Sequence, residues 1–292
     1  MKNKAKTKYQ NSAYAYIMPA MIGFLVFTFY PFFQTIVRSL FITDRMGNSN
    51  LFVGLENYQT LFTNPSFYNS LLVTLIYVAI VVSLGVGLGF LAALLCQRAF
   101  PGLKFFSAAY SLPMAIASSG MALVFKVMLN RSIGVINTVF KSNVSWLEDP
   151  TMALISVSIL TAWLNSGMNF LYLSAGLAGI DDSLYESASI DGANGFQKFW
   201  HITLPSLKPI MFFVIVTNFI NAFQSFAQIK LLTMGGPGEA TNVIVHDIYK
   251  NAFENYRYGY ASAESIVLFF IVMLFTIVLF KKNGGGKSLA ER

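Results

Sequence analysis

Residues 71–95 read LLVTLIYVAIVVSLGVGLGFLAALL, an apolar run that contains no charged side chain. A helix needs about 20 apolar residues to cross the hydrocarbon core of a bilayer, so this run is long enough for one span. The rest of the chain has the same character: 55% of its 292 residues are hydrophobic, 11% are charged, and the mean hydropathy is +0.58. Soluble domains carry about 25% charged residues. The composition therefore predicts an all-α integral membrane protein.

Further apolar runs of similar character bring the predicted number of transmembrane helices to six. We expect the first run to be a membrane span and not a cleaved signal peptide, because it exceeds the usual apolar length and lacks a small-residue cleavage site. The predicted spans cover residues 14–40, 71–95, 105–129, 152–177, 210–231 and 265–280.

The positions of lysine and arginine predict the orientation of these spans. Basic residues cluster at both ends of the chain and in the short loop after the second span, and an even number of spans places these three segments on one side. Cytoplasmic segments carry the excess of Lys and Arg, so this side is predicted to be cytoplasmic, which accounts for the net charge of +7 without nucleic acid. The residues are Lys2, Lys4, Lys6, Lys8, Arg98, Lys104, Lys281, Lys282, Lys287 and Arg292. The predicted division is a basic N-terminus (1–12), a membrane domain (13–280) and a cytoplasmic tail (281–292).

The cytoplasmic loop at residues 178–209 contains two short helical patterns. Ser183 is predicted to cap the first helix, with Glu186 completing a capping box, and Gly192 and Gly195 are predicted to end it. Residues 196–204 then form an amphipathic helix that is expected to stop at Pro205. Two interpretations stay open on these residues alone: an interfacial linker whose aromatic side chains lie among lipid headgroups, or a docking element for a cytoplasmic partner.

The same loop resembles the EAA loop of bacterial binding-protein-dependent ABC importers. The spacing of the EAA pattern agrees throughout, with Ser187 in place of the first alanine. The matching stretches are Glu186-Ser187-Ala188, Ile190-Asp191-Gly192-Ala193 and Ile202-Thr203-Leu204-Pro205. Outside the loop, residues 52–58, 232–241, 248–249 and 259–263 are similar to permeases for oligosaccharides and glycerol-3-phosphate, which belong to the maltose-transporter-like group.

The resemblance implies a type I ABC importer permease in a bacterial cytoplasmic membrane. Such a permease works with a second, related permease, two cytoplasmic ATPase subunits and an extracytoplasmic solute-binding protein; ATP and Mg²⁺ belong to the ATPases, so no cofactor or metal is expected in this chain. By resemblance, Glu186 pairs with a basic residue of the ATPase and Gly192 provides a sharp turn. The residues that the resemblance assigns to coupling are Glu186, Ser187, Ala188, Asp191, Gly192, Ala193, Leu204 and Pro205.

Two predicted spans carry polar side chains that are costly inside a membrane unless they face a cavity or each other. Steps of three and four residues are predicted to place each set on one face of a continuous helix. The set in span five is Asn218, Asn221, Gln224, Ser225 and Gln228, and the set in span four is Asn165, Asn169 and Tyr172. We interpret both sets as parts of the solute path. The alternative is that the amides join helices by hydrogen bonds.

Neutral amides among aromatic side chains suit a sugar better than an anion. Lys126 and Lys230 lie within or near the relevant spans, so glycerol-3-phosphate or a glycerophosphodiester stays open as the solute. An ion-coupled secondary transporter is the alternative of another class, and it is disfavoured because no acidic residue is predicted in the middle of a span.

The sequence does not indicate an enzyme. No Ser/His/Asp set is evident, and His201 and His246 are predicted on opposite sides of the membrane, where they cannot share a metal ion. The glycine-rich run 284–288 resembles the end of a phosphate-binding loop but follows a membrane helix instead of a strand, so we expect a simple tail. The one cysteine, Cys96, is expected to be a buried, inert thiol and excludes an internal disulfide.

Overall fold

The computed structural model describes residue 14 and residues 16–97 and 100–282. These residues are mostly helical, with one antiparallel hairpin formed by β1 (Phe41–Thr43) and β2 (Ser49–Phe52). The helices are α1 (Tyr16–Arg38), α2 (Glu56–Thr63), α3 (Pro65–Leu95), α4 (Leu103–Ala115), α5 (Ser118–Met128), α6 (Val135–Val139), α7 (Pro150–Ala178), α8 (Asp182–Ile190), α9 (Gly195–Phe223), α10 (Ala227–Leu232), α11 (Ile244–Tyr249) and α12 (Tyr258–Lys282). The predicted N-terminal segment 1–12, Arg98 and the glycine-rich run 284–288 lie outside the described residues.

Five of these helices, α1, α3, α7, α9 and α12, are long and apolar enough to cross a membrane. The pair α4 and α5 meets the same criteria only as a unit, and its two halves are bent by 99°. The predicted total of six spans is therefore reached when the bent pair counts as one. The predicted third span is therefore a broken one, because α4 stops at Ala115, two residues after Pro113.

The described residues divide into two compact units. The first comprises the residues up to Asn64 together with Ile248–Phe270. Within it, the amide of Asn57 donates to the carbonyls of Ser39 and Phe41 at 2.8 and 3.0 Å, which fixes α2 against the hairpin. Asn64 donates to the hydroxyl of Tyr260 at 2.9 Å and attaches the end of α2 to α12. This unit thus joins the segment after the first span to the beginning of the last.

The second unit comprises Pro65–Asp247 and the residues from Ile271 onwards, and its centre is the pair α3 and α7. Asp149 begins α7 by accepting hydrogen bonds from the N–H groups of Thr151 and Met152. Small residues on α3 let the two helices approach closely, since a Cβ at Gly89 would lie 2.6 Å from the Cβ of Asn169. A buried cluster continues this contact to α9 and contains Val86, Ala92, Ala93, Phe170, Leu173, Leu177, Leu207 and Val214.

The last span begins earlier than predicted, at Tyr258 instead of residue 265. Polar residues in this first part lower its hydropathy, but tertiary contacts keep it helical. Glu264, which precedes the predicted start of this span by one residue, consequently lies within the helix and is fully buried. Its carboxylate accepts a hydrogen bond from the amide of Asn251 at 3.3 Å.

Candidate functional site

The predicted docking loop contains one separate short helix, α8. Its N-cap is Asp181, whose carboxylate accepts a hydrogen bond from the N–H of Ser183 at 2.9 Å. The backbone and the side chain of Ser183 lower the pKa of Asp181 below its ordinary value. The predicted cap at Ser183 was therefore wrong by two residues, because Asp181 is the first residue able to offer an oxygen to the free N–H groups.

The turn after α8 depends on Gly192, as predicted. The helix ends at Ile190, and Gly192 adopts a φ of +78°, where a side chain would introduce strain. Gly195 does not end α8 as predicted but is the first residue of α9. Asn194 and Gln197 form a reciprocal capping box with distances of 2.8 and 2.9 Å, which stabilises this new start.

The predicted stop at Pro205 was also wrong, because α9 runs without interruption from the loop into the membrane span. A wide π-helical turn over Phe199–Thr203 immediately precedes Leu204 and Pro205. Such a turn gives room to a proline, whose ring would otherwise press on the carbonyl of the previous turn. Leu204 and Pro205 are therefore placed in a continuous rod that joins the loop to the span.

Two contacts hold α8 against the first turns of α9, and a third, within α8, orients one of the side chains that take part. The hydroxyl groups of Tyr185 and Thr203 are 2.9 Å apart, and the ammonium of Lys198 donates to the hydroxyl of Ser189 at 2.6 Å. Ser189 in turn donates to the carbonyl of Tyr185 at 2.6 Å. The two helices enclose a groove of about 320 Å³, lined by Ala188, Asp191, Gly192, Ala193, Gln197, Lys198, His201 and Ile202.

Glu186 and Ser187 lie on the exposed surface of α8. Within the described part of the chain the carboxylate of Glu186 forms no ion pair. Large apolar side chains on the same two helices are also exposed: Leu184, Ile190, Phe196 and Trp200. An exposed acid beside exposed apolar side chains is suited to contact a partner that has a basic residue in an apolar setting.

A second site is a cavity of about 550 Å³ between α4, α5, α7, α9 and α10. Its polar lining comes from three parts of the chain that the sequence separates widely. The lining residues are Pro113, Met114, Ile116, Ser118, Thr161, Leu164, Asn165, Asn221, Gln224, Ser225, Phe226, Ala227 and Gln228. None of these side chains is charged, and Lys126 and Lys230 do not contribute to the wall.

Two helix breaks meet at this cavity. One is the bend between α4 and α5, represented by Ile116 and Ser118, and the other separates α9, which ends at Phe223, from α10. Irregular backbone at membrane depth is tolerated where it lines a polar cavity, since water or solute can satisfy the free groups. The breaks therefore lie where polar side chains line an open cavity between the helices.

The second break contradicts the predicted continuous face of span five. Gln224 caps α9, and Ser225 and Phe226 form the link to α10, so the five polar residues do not follow one helical face. Asn221, Gln224, Ser225 and Gln228 nevertheless line the same cavity, Asn221 from α9 and the other three from the link and α10. The spacing in the sequence was an incorrect argument for their common location.

The remaining predicted path residues lie elsewhere. Asn169 and Asn218 are buried, and each amide donates to the other's side-chain oxygen, at 3.1 and 2.6 Å. This pair joins α7 to α9 in the way the helix-joining alternative describes. Tyr172 packs edge-on against Phe213 with ring centroids 5.3 Å apart, away from the cavity lining. Of the predicted span-four residues, Asn165 alone lines the cavity.

Sequence reasoning missed several residues that shape the two sites. The Asn194 and Gln197 capping box had a recognisable pattern, an asparagine followed three residues later by a glutamine. Thr161 and Ser118 had no such signal, because single hydroxyl residues are frequent in membrane helices. Pro113 lies inside the third predicted span, but a broken helix does not follow from one proline alone.

Residues 85–281 match the family described as binding-protein-dependent transport system inner membrane component. The chain belongs to this family. The permease is 34% identical over 272 residues to the sn-glycerol-3-phosphate transport system permease protein UgpA of Agrobacterium fabrum, with 92% of this chain and 93% of that protein covered. It is 32% identical to the probable ABC transporter permease protein YurN of Bacillus subtilis, with 94% of this chain and 97% of that protein covered.

The fold of the permease is also found in a solved structure. A chain of the bacterial alginate ABC transporter, in complex with an alginate pentasaccharide-bound periplasmic protein, aligns with a TM-score of 0.84 at 22% identity and 98% coverage of both chains. The predicted class, an ABC importer permease with the matching membrane fold, is confirmed. The family consists of transport components and not enzymes. The roles of individual loop and cavity residues stay predictions.

Proposed function

We propose that the permease forms half of the translocation path for a sugar or oligosaccharide, imported across a bacterial cytoplasmic membrane at the expense of ATP. The observation that carries this proposal is the neutral, amide-lined cavity at the meeting point of two helix breaks. Its volume of about 550 Å³ is within the range of small-molecule sites. A second, related permease is expected to supply the other half.

The chemistry of the lining favours a neutral, hydroxylated solute. Asn165, Asn221 and Gln224 each offer an acceptor oxygen and donor N–H groups, which matches sugar hydroxyls that both donate and accept. Phe226 adds an apolar surface of the kind that the carbon-bound face of a sugar can contact. A solute held only by neutral groups is also released easily, as transport requires.

Glycerol-3-phosphate or a glycerophosphodiester is the second candidate, and one observation favours it. Ser118, the first residue of the 11-residue helix α5, lines the cavity, so the positive end of this helix dipole lies at the wall. Helix N-termini bind anions through free N–H groups. The similarity to the UgpA permease points in the same direction.

The energy for import is proposed to enter through α8. Glu186 is exposed and ready to pair with a basic residue of a cytoplasmic ATPase, one of two that bind ATP and Mg²⁺. Because α9 is a continuous rod from Gly195 to Phe223, a displacement of the loop is transmitted along the helix to the cavity wall. Both termini and this loop are then cytoplasmic, and a solute-binding protein delivers solute on the opposite side.

The coupling role of Glu186 is tested by Glu186→Ala in the assembled transporter, with Asp182→Ala as the matched control. Both residues are exposed acids of α8, so the two variants lose the same charge. Losing a charge-assisted hydrogen bond costs about 1.5–3 kcal/mol, so Glu186→Ala is expected to weaken ATPase co-purification and solute-driven ATP hydrolysis by about tenfold or more. Asp182→Ala is expected to change ATPase co-purification and solute-driven ATP hydrolysis by less than about twofold each. Equal behaviour of the two variants would contradict the assignment.

The solute class is tested with the complex purified from its native membrane in mild detergent. We expect an ATPase, a second permease and a solute-binding protein to co-purify, and the binding protein to take up an oligosaccharide in calorimetric titration. Binding of glycerol-3-phosphate instead would establish the second candidate. Recovery of the permease alone, while other membrane complexes survive the same detergent, would favour an ion-coupled transporter.

A further inference from the structure

The segment that follows α10 is anchored both to itself and to α3. The hydroxyl groups of Thr233 and Thr241 are 2.6 Å apart, and the hydroxyl of Thr241 donates to the carbonyl of Gly236 at 2.7 Å. At the beginning of α11, the N–H of Ile244 donates to the hydroxyl of Thr74 on α3 at 2.8 Å. The start of α11 is therefore fixed by a buried hydrogen bond to another span.

His246, in the first turn of α11, contacts a residue of the cavity wall. Its imidazole stacks against the ring of Phe226, with ring centroids 6.2 Å apart and an angle of 26° between the ring planes. Aromatic pairs attract each other at centroid separations of up to about 7 Å. Phe226 is half-buried and lines the cavity, whereas His246 is buried and is not part of the lining. The imidazole therefore supports the wall from outside the cavity.

Hydrogen bonds fix the orientation of the His246 ring. The amide of Asn242 donates to the carboxylate of Asp247 at 3.0 Å, which leaves the amide oxygen facing Nδ1 of His246 at 2.7 Å. An amide oxygen only accepts, so Nδ1 carries a proton and donates it. Gly235 gives the ring its space, because a Cβ there would lie 2.8 Å from Cε1 of His246. The imidazole thus has a defined position beside Phe226.

Phe226 gives the cavity wall its aromatic surface. Among the described lining residues no other side chain is aromatic, and the neighbours Asn221, Gln224 and Ser225 offer polar groups. A sugar ring has polar edges and an apolar, carbon-bound face, so it suits a wall with both kinds of surface. An aromatic side chain that is already held in place binds more tightly than a mobile one, because less conformational freedom is lost. Stacking on His246 gives Phe226 such a preset orientation.

We propose that His246 is a positioning residue, which holds the ring of Phe226 as a platform for the apolar face of a cyclic sugar. This inference rests on the proposed role of the cavity as the solute path, and it narrows the solute to one that contains a ring. Glycerol-3-phosphate has no ring and would gain little from such a platform.

His246→Gln and His246→Phe separate the ring from its hydrogen bond. Glutamine has no ring but can still donate an N–H to Asn242, and phenylalanine keeps a ring but loses the hydrogen bond. In the complete transporter with sugar-loaded binding protein, His246→Gln is expected to lower the sugar moved per ATP by about two- to tenfold, the effect of losing one aromatic pair. His246→Phe is expected to stay within about twofold of wild type, although both variants lower the melting temperature. Equal losses of transport in both variants, or no loss in either, would overturn the proposal.

A second pair of variants leaves the side chain of His246 unaltered. Gly235 and Gly238 both have a positive φ, of +82° and +56°, so alanine strains the backbone at either position. A new Cβ meets the imidazole at Gly235, whereas at Gly238 it has no atom within 4 Å. Gly235→Ala is therefore expected to lower the sugar moved per ATP by about two- to tenfold, and Gly238→Ala by less than about twofold. Equal effects of the two variants would contradict the positioning role.

Variants of the wall complete the test. If His246 acts through Phe226, adding His246→Gln to Phe226→Leu is expected to cause no further loss of transport, and additive losses would overturn the proposal. Gln224→Ala separates this inference from the proposed function. If Gln224→Ala leaves transport unchanged, the cavity is not the solute path, and the role of His246 fails with it. If Gln224→Ala impairs transport while His246→Gln matches wild type, the cavity assignment stands and His246 has no positioning role.

Discussion

The amides of Asn169 and Asn218 show how identical side chains serve two purposes in this protein. Asn165 and Asn221 reach the cavity, whereas Asn169 and Asn218 lie one turn away and are turned towards each other. A reciprocal amide pair leaves few free polar atoms in an apolar interior, so it is stable where a single asparagine would be costly. The two sets of amides therefore contain both a part that lines the cavity and a part that joins helices.

Asn218→Ala is expected to destabilise the permease by about 1–2 kcal/mol, because it leaves Asn169 with a broken pair in a buried setting. Asn221→Ala, at an exposed position of the same helix, is expected to cost less than about 0.5 kcal/mol. Unfolding in detergent titrated with a denaturing surfactant measures both. Because the two amides bond to each other, the loss of unfolding free energy in the double variant Asn169→Ala/Asn218→Ala is expected to differ from the sum of the two single losses. Purely additive losses would contradict the pairing.

At the scale of elements, helix irregularities determine the site. Proline accounts for two of them in different ways: Pro113 precedes the end of α4, whereas the π-helical turn before Pro205 keeps α9 continuous. The contrast has a physical basis, because a widened turn keeps the helix axis while it accommodates the ring. One proline thus opens the cavity, and the other preserves the rod between the loop and the membrane.

The close packing of α3 on α7 leads to a prediction about two glycines of α3. Gly89→Ala would place its Cβ 2.6 Å from the Cβ of Asn169 and 3.0 Å from the N of Phe170, whereas a Cβ at Gly87 has no atom within 4 Å. Overpacking of this kind costs about 1–3 kcal/mol. We therefore expect Gly89→Ala to lower the melting temperature of the purified permease and Gly87→Ala to leave it unchanged or slightly higher. Similar melting temperatures for the two variants would show that α3 and α7 are not this close.

At the scale of the whole molecule, orientation is the property that hydropathy and charge predict and that the fold by itself leaves open. The orientation is predicted from basic residues at the ends of the chain and in the second loop, several of them outside the described residues. With these residues on the cytoplasmic side, the loop that contains α8 is cytoplasmic and the segment between α5 and α7 is external. The proposed coupling role of Glu186 requires this orientation, because ATP is hydrolysed in the cytoplasm.

Cysteine labelling tests the orientation directly, and the single Cys96 makes a cysteine-free background simple to prepare. In a Cys96→Ala background, Glu148→Cys and Asp182→Cys place one exposed thiol in each of the two segments. A membrane-impermeant maleimide is expected to label Glu148→Cys in intact spheroplasts and Asp182→Cys only after permeabilisation. The reverse pattern would invert the topology and remove Glu186 from the cytoplasm.

The sequence alone was sufficient for the membrane class, the approximate positions of the spans, the family and the turn at Gly192. Each of these depends on local information: apolar length, charge placement, motif spacing or the backbone freedom of one glycine. The loop that contains α8 could be located for the same reason, although its cap at Asp181 and the continuation of the helix through Pro205 could not.

The tertiary structure alone decided where helices break and which polar residues meet. The pair Asn169–Asn218 and the hydrogen bond from Tyr77 to Thr161 join residues from different spans, and the link at Gln224–Phe226 interrupts a stretch that hydropathy predicts as one span. Hydropathy cannot distinguish a polar side chain that faces a cavity from one that faces another helix, because both avoid lipid. The difference arises only from the packing of neighbouring helices, which supplies or withholds a hydrogen-bonding partner.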